Sequence, residues 1–255
     1  VAASKEVEKM TRMIVGAIVL ASCGWGQSFE VASIRPHVLP PGVLYGNVGL
    51  RVSGSMLTAE NMSLSNLITY AYGIKDYELL GQPSWADAER YDVSAKAEGD
   101  LALTRELAMP MMRALLADRC QLKVHREMRE MPVYALVVPK NGPKFKESGP
   151  DAQSLLTLGS QGKGLVMTVT KGNMAQLANQ FSKRNGVDRP VIDKTGLSGG
   201  YDYKLEWGDY GAANADADVV SIFTAIQDQL GLKLEPAKAP IEVLIVDFAT
   251  KPSEN

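Results

Sequence analysis

Between Asp193 and Gly200 the chain carries two strings of the residue types that acyl-transfer enzymes use. Gly196-Leu197-Ser198-Gly199-Gly200 fits the Gly-x-Ser-x-Gly elbow, and Lys194-Thr195-Gly196 matches a signature of penicillin-recognising enzymes, for which Ser160 and Lys163 supply a Ser-x-x-Lys. With Asp193 beside them, a hydrolase using Asp193, Lys194 and Ser198 is the catalytic hypothesis. Context argues against both strings. The elbow needs a strand before its serine, a helix after it and a histidine later in the chain. Here Tyr201, Tyr203, Leu205 and Trp207 alternate with polar residues, so a strand follows, and His37 and His125 both lie upstream. The Ser-x-x-Lys serine should open a helix far upstream of Lys-Thr-Gly. Ser160 instead lies among glycines and too close in sequence to Lys194, and the chain has no Ser-Asp-Asn. A glycine turn in which Lys194 and Ser198 have no nucleophilic geometry is the simpler reading.

Metal chemistry fails on supply. Two histidines, no His-Glu-x-x-His and no cysteine pair leave only carboxylates, and Asp92, Asp193, Asp202 and Asp247 are not spaced as a calcium loop. Asp193 and Asp247 each end a β-branched run, where aspartate commonly closes a turn. No metal or other cofactor is expected. Tyr70, Tyr72, Tyr77, Trp85 and Tyr91 cluster in one third of the chain and could line a groove for a glycan or peptide. Core packing is the ordinary fate of such rings, but Tyr72 is out of phase with its helical stripe and Trp85 lies in a proline-containing loop. The candidate binding residues are therefore Trp85, Tyr72, Asp193, Lys194 and Thr195, and no catalytic residue is assigned.

These residues must be positioned by short strands and amphipathic helices. Strands are predicted over 29–34, 51–60, 74–80, 91–97, 121–125 and 133–138, with a helix striped by Leu64, Leu67, Ile68 and Ala71 and capped by Asn61 or Ser63. A second helix, capped by Thr104, turns Leu107, Met111, Leu115 and Leu116 inward, with Pro110 expected to kink it or shift its start. Residues 149–163 are polar, glycine-rich and weakly patterned, and read as a linker or loop. The element order then repeats: a strand at 165–169, a helix with Met174, Leu177, Ala178 and Phe181 after Asn173, strands near Val191 and over 201–207, a helix with Ile222, Ala225, Ile226 and Leu230, and strands at 232–234 and 241–246. Leu67 and Leu177, Tyr91 and Tyr201, and Leu122 and Leu232 are separated by one and the same sequence offset. The expected fold is α+β, with two tandem pseudo-repeated halves, 29–148 and 164–255, each with two helices on a small mixed or antiparallel sheet. Cys120 falls opposite Leu230 and is expected in the core. A ligand site is expected in the cleft between the halves, bordered by the turn at 193–200 and the loop at 82–90.

The 255 residues are 45% hydrophobic and 22% charged, enough for a substantial core. A net charge of −2 and the lack of a basic run argue against nucleic acid as a partner. Residues 1–28 read as an export signal: Lys5, Lys9 and Arg12 precede an apolar run over 13–21, too short to span a bilayer as a helix. Leu20-Ala21-Ser22-Cys23 is similar to a lipoprotein box, whereas Gly24 to Ser28 offers small residues to ordinary signal peptidase. Both routes stay open, and lipidation of Cys23 is the one membrane attachment expected. The protein would then be periplasmic, an outer-membrane lipoprotein or secreted.

The chain resembles a soil-associated, acidobacterial family of unknown function, domain of unknown function 3738. The resemblance is carried by Phe29-Glu30-Val31-Ala32-Ser33-Ile34-Arg35-Pro36, Ala71-Tyr72-Gly73-Ile74, Gly81-Gln82-Pro83-Ser84-Trp85, Leu115-Leu116-Ala117-Asp118-Arg119, the stretch 189–197, Gln229-Leu230-Gly231-Leu232-Lys233-Leu234 and the closing Lys251-Pro252-Ser253-Glu254-Asn255. Cys120 stands where the family resembled usually has phenylalanine, and Pro110 departs from its helix pattern. The resemblance implies export and no established activity. Some relatives look fused to metallopeptidase sensors of the BlaR type, which implies ligand sensing or docking. The repeated units are also similar to the short N-terminal modules of secretins and TonB-dependent receptors, which bind proteins at sheet edges. The expectation is a non-catalytic envelope or secreted module that binds a protein, peptide or cell-wall ligand, with a sensor ectodomain as its nearest variant.

Overall fold

Capping chemistry and period-two alternation divide the chain into mixed α+β structure, mostly β. A computed structural model describes residues 28–39, 48–99, 102–161, 164–182, 186–208 and 220–253. Its elements in order are β1 (Val31–Pro36), β2 (Gly49–Ser53), β3 (Met56–Met62), α1 (Leu64–Tyr72), β4 (Leu79–Leu80), α2 (Trp85–Ala88), β5 (Tyr91–Lys96), α3 (Arg105–Arg119), β6 (Lys123–Val137), β7 (Lys146–Glu147), β8 (Leu155–Gln161), β9 (Gly164–Gly172), α4 (Met174–Ser182), β10 (Val191–Asp193), β11 (Tyr201–Gly208), α5 (Ile222–Ala225) and β12 (Lys233–Phe248). A 3-10 turn, Asp76–Glu78, precedes β4, and a π-helical turn, Ile226–Leu230, extends α5.

Helix starts follow from sequence. Ser63 Oγ accepts the Asn66 N–H (3.1 Å) while the Asn66 side chain accepts the Ser63 N–H, and Asn173 with Gln176 makes the same reciprocal pair at 2.7 and 3.1 Å. Thr104 and Ser221 cap α3 and α5. Pro110 neither ends α3 nor shifts its start. It lies inside the helix, where it removes one amide from the ladder opposite the exposed Glu106.

Three four-stranded sheets result. The first has strand order β1-β5-β3-β2 and the third has β7-β11-β9-β8, all antiparallel. The second, β10-β6-β12-β4, is mixed, and its strands come from both halves of the chain. β6 and β12 pair antiparallel along their whole length, from Val137 with Lys233 to Lys123 with Phe248. β10 runs parallel beside β6, and β4 runs parallel beside β12.

Two cores follow, and each borrows from the other half of the sequence. The first is built from β3, β5, α1 and α3 and is completed by Leu244 and Val246 of β12. The second is built from β9, β11, α4 and α5 and is completed by Leu136 of β6. Between the cores the β6–β12 ribbon is mostly in solvent, with Arg126 to Glu130 and Glu242 exposed. Two small antiparallel sheets are thus separate, but the expectation that each half would be built on its own sheet alone is incomplete, because β4 and β10 both pair into a third, shared sheet.

Other boundaries differ as well. The strands expected at 121–125 and 133–138 are one strand, β6, and those at 232–234 and 241–246 are one strand, β12; periodicity fades where the ribbon crosses solvent. The strand expected over 74–80 shrinks to Leu79–Leu80 behind the 3-10 turn. Trp85 opens a one-turn helix rather than lying in a loop. Residues 155–161 of the expected linker at 149–163 are β8, whose leucines gave no clear alternation. Cys120 is fully buried, as expected.

Candidate functional site

The Asp193 turn grows from β10. The Lys194 N–H donates to the Leu136 carbonyl (2.9 Å), continuing the parallel ladder one residue further. Asp193 Oδ1 then accepts both the Thr195 N–H (2.9 Å) and the Thr195 hydroxyl (2.7 Å), and Thr195 Oγ1 accepts the Leu197 N–H (3.2 Å). Gly196, at φ +72°, supplies the left-handed step such a turn requires. Asp193 and Thr195 thus use their side chains to shape the turn, while Lys194 and Ser198 are exposed.

Tyr72 and Trp85 belong to the first lobe, both half-buried against its core. The Arg113 guanidinium lies 5.0 Å from the Tyr72 ring centroid, and Arg113 Nε donates to the Ala71 carbonyl (2.7 Å). Burial raises the Tyr72 hydroxyl above its ordinary pKa, against the opposing field of Arg113. One ring face is therefore occupied by a cation. No described hydrogen bond or ring contact joins Tyr72 or Trp85 to the Asp193 turn.

What lies between the lobes is different. A cavity of about 450 Å³ is lined by Lys75, Asp76 and Tyr77 on one side and Ser182, Val187 and Asp188 on the other. The Tyr77 hydroxyl donates to the Ser182 carbonyl (3.1 Å) across it. Burial, followed by the charges of Glu78 and Asp76, pushes that hydroxyl up to about 12, so it stays a donor at neutral pH. None of the sequence candidates lines this cavity.

Sequence spacing held no hint of a part-buried His–Asp pair. His37 Nδ1 sits 2.8 and 3.0 Å from the two Asp92 oxygens, and Asp92 Oδ1 also accepts the Asn61 N–H (2.9 Å). A charge relay would need a hydroxyl or thiol on the other ring nitrogen, and His37 Nε2 is buried without a hydrogen-bond partner among the described residues. In the second lobe Asp202 Oδ1 accepts the Ser148 hydroxyl (2.5 Å) and the Lys171 N–H (2.9 Å). Asn61 and Lys171 are both at positive φ beside a bulge, where the ladder skips between Ala59 and Met62 and between Tyr203 and Tyr201. Each aspartate satisfies an amide that the bulge takes out of the ladder.

The feature that most resembles a docking site was read from the sequence as linker. β8 is an edge strand of seven residues with no charge. Leu156 and Leu158 pair across from Val169 and Met167 of β9, which are 4% and 1% exposed. Directly opposed residues share a face, so both leucines lie on the core side of the sheet. Yet they are 41% and 44% exposed, and Leu155 is 59% exposed. In the first lobe Leu50 and Val52 of β2 sit opposite buried Ala59 and Leu57 and are packed against the core. The run Leu-Leu-Thr-Leu was the available signal, hidden by its glycine- and serine-rich surroundings.

Cys23 and the expected signal at 1–28 lie outside the described residues, save for Ser28 itself. Among the described residues no group of three or more His, Cys, Asp or Glu side chains is placed to hold a metal, and no helix is long and apolar enough to cross a membrane.

No curated protein and no solved structure matches the chain. One family model does, over residues 65–249, which is most of both lobes and the whole shared sheet. The chain belongs to the family described as protein of unknown function (DUF3738).

Proposed function

We propose that the chain is an exported, non-catalytic module that binds a protein or peptide by accepting an added strand at β8. The observation that carries this reading is the exposure of Leu156 and Leu158 on the core face of an uncharged edge strand. Such an edge offers unpaired amides and carbonyls for a ladder and apolar side chains for selectivity, the two elements of strand addition. A sensor ectodomain would use the same edge. Export is supported by Lys5, Lys9 and Arg12 ahead of the apolar run at 13–21.

The same reading takes the lobes as two copies of one unit. The sheet orders β1-β5-β3-β2 and β7-β11-β9-β8 correspond strand for strand. The caps at Ser63 and Asn173, the bulge residues Asn61 and Lys171, the aspartates Asp92 and Asp202, and the left-handed positions Gln121 and Gly231 all share the sequence offset that separates Leu67 from Leu177. Glu130 pairs with Pro240, its own counterpart at that offset, so an axis through the pair would relate β6 to β12.

Screening purified protein against extended peptides, peptidoglycan fragments and penicillin analogues tests the reading. Peptides with alternating apolar residues should bind and protect β8 amides from exchange. Turnover of any of these compounds that is lost in Ser198→Ala, or binding only of peptidoglycan unaffected by Leu156→Lys, would overturn it.

A further inference from the structure

The sheets have six edges among the described residues, and five are guarded. β1 carries Arg35 and ends at Pro36, β2 carries Arg51, β10 is three residues long and ends at Asp193, β7 is the pair Lys146–Glu147, and β4 is only Leu79–Leu80. Charges, proline and brevity are the usual devices against pairing between identical chains. β8 has none of them: it is seven residues long and reads Leu-Leu-Thr-Leu-Gly-Ser-Gln. Its neighbouring strand β9 is likewise uncharged until Lys171.

An edge without charge selects a strand without charge, since an ionic side chain laid against Leu156 or Leu158 would lose hydration and gain no partner. A second β8 meets that requirement. Paired antiparallel about Leu158, each Leu156 would face the other copy's Ser160 and the two Leu158 side chains would meet on the axis. The leucines of both copies would then extend the apolar stripe begun by Met167 and Val169, removing from water the surface now exposed. The edges would merge into one sheet ordered β7-β11-β9-β8-β8-β9-β11-β7, with no uncharged edge left open.

We propose that the partner taken by β8 is a second copy of this chain, joined as a two-fold dimer through antiparallel β8–β8 pairing. This rests on the strand-addition reading above and names its partner. Sedimentation of the purified protein across a concentration series, with hydrogen exchange measured at each concentration, tests it. Mass should rise from monomer to dimer, and β8 amides should slow by at least tenfold as it does. Leu158→Lys should remain monomeric with unchanged far-ultraviolet circular dichroism; the exchange measurement on the unaltered chain stands should that variant misfold. A chain that stays monomeric while an apolar peptide protects β8 overturns the dimer and leaves strand addition intact. A monomer whose β8 no peptide protects overturns both, and a dimer with β8 unprotected overturns the pairing proposed.

Discussion

Asn61 and Lys171 hold the same unusual backbone conformation at matching places in the two lobes, φ +53° and +52°, and each sends its N–H 2.9 Å to an aspartate on the adjacent strand. A left-handed conformation costs a residue with a Cβ on the order of 1 kcal/mol. The aspartate offsets that cost by satisfying an amide the bulge has freed. The two aspartates differ in their further partner, which is His37 for Asp92 and Ser148 for Asp202.

The contacts of Asp202 should be visible as acid sensitivity. The Ser148 hydroxyl, and after it the Lys171 N–H, hold the Asp202 carboxyl below the usual carboxylate range. A depressed folded-state pKa adds stability above the unfolded value of roughly 4 and loses it as pH falls through the lowered value. Urea midpoints should therefore show Asp202→Asn weaker than the unaltered chain near neutrality, with the gap closing as pH falls below the unfolded value. Parallel curves across that range would refute this.

Leu244 lies late in the chain but is part of the early core. Truncating it to alanine should cost about 2–5 kcal/mol. The location of the loss is the sharper readout: amide protection should fall at Leu57 and Val93 and persist at Met167 and Leu205. Loss confined to the second pair would contradict the shared sheet.

The thiol of Cys120 is pushed up to about 12 by burial alone. Near pH 8 roughly one molecule in ten thousand would carry the thiolate. Maleimide or disulfide reagents should leave it untouched in native protein and modify it promptly in denaturant. Rapid labelling of the native chain at Cys120 would show that the first core opens readily.

Ser198 should resist activated-serine chemistry. Fluorophosphonate and fluorescent penicillin probes are expected to give no covalent signal above that of Ser198→Ala. A signal present only with Ser198 would restore the hydrolase hypothesis, since Asp193 and Thr195 would then have to leave the turn they shape.

How far the sequence could be read depended on whether the deciding contact was local. Helix starts at Ser63 and Asn173 were legible because their partners sit one helical turn away. The buried faces of α1 and α4 were legible from spacing. The crossing of β6 and β12 was not, because which lobe Leu244 packs into is decided by pairing with Arg126, in the other half of the chain. The surroundings of Tyr72 were hidden for a related reason: one face of its ring is claimed by Arg113 from another helix, which no pattern within α1 records. β8 was missed because exposure on both faces erases the alternation that marks a strand.

The reach of β12 into the first lobe also sets a timetable. During synthesis the segment 28–137 emerges with its own sheet and helices but without Leu244 and Val246, so the core they complete stays open until β12 has left the ribosome. A chain read from the N-terminus cannot close its earliest lobe first, and pairing across so long a stretch is slow for reasons of loop closure. While the second lobe is being made, the first therefore lacks two of the side chains that fill its core.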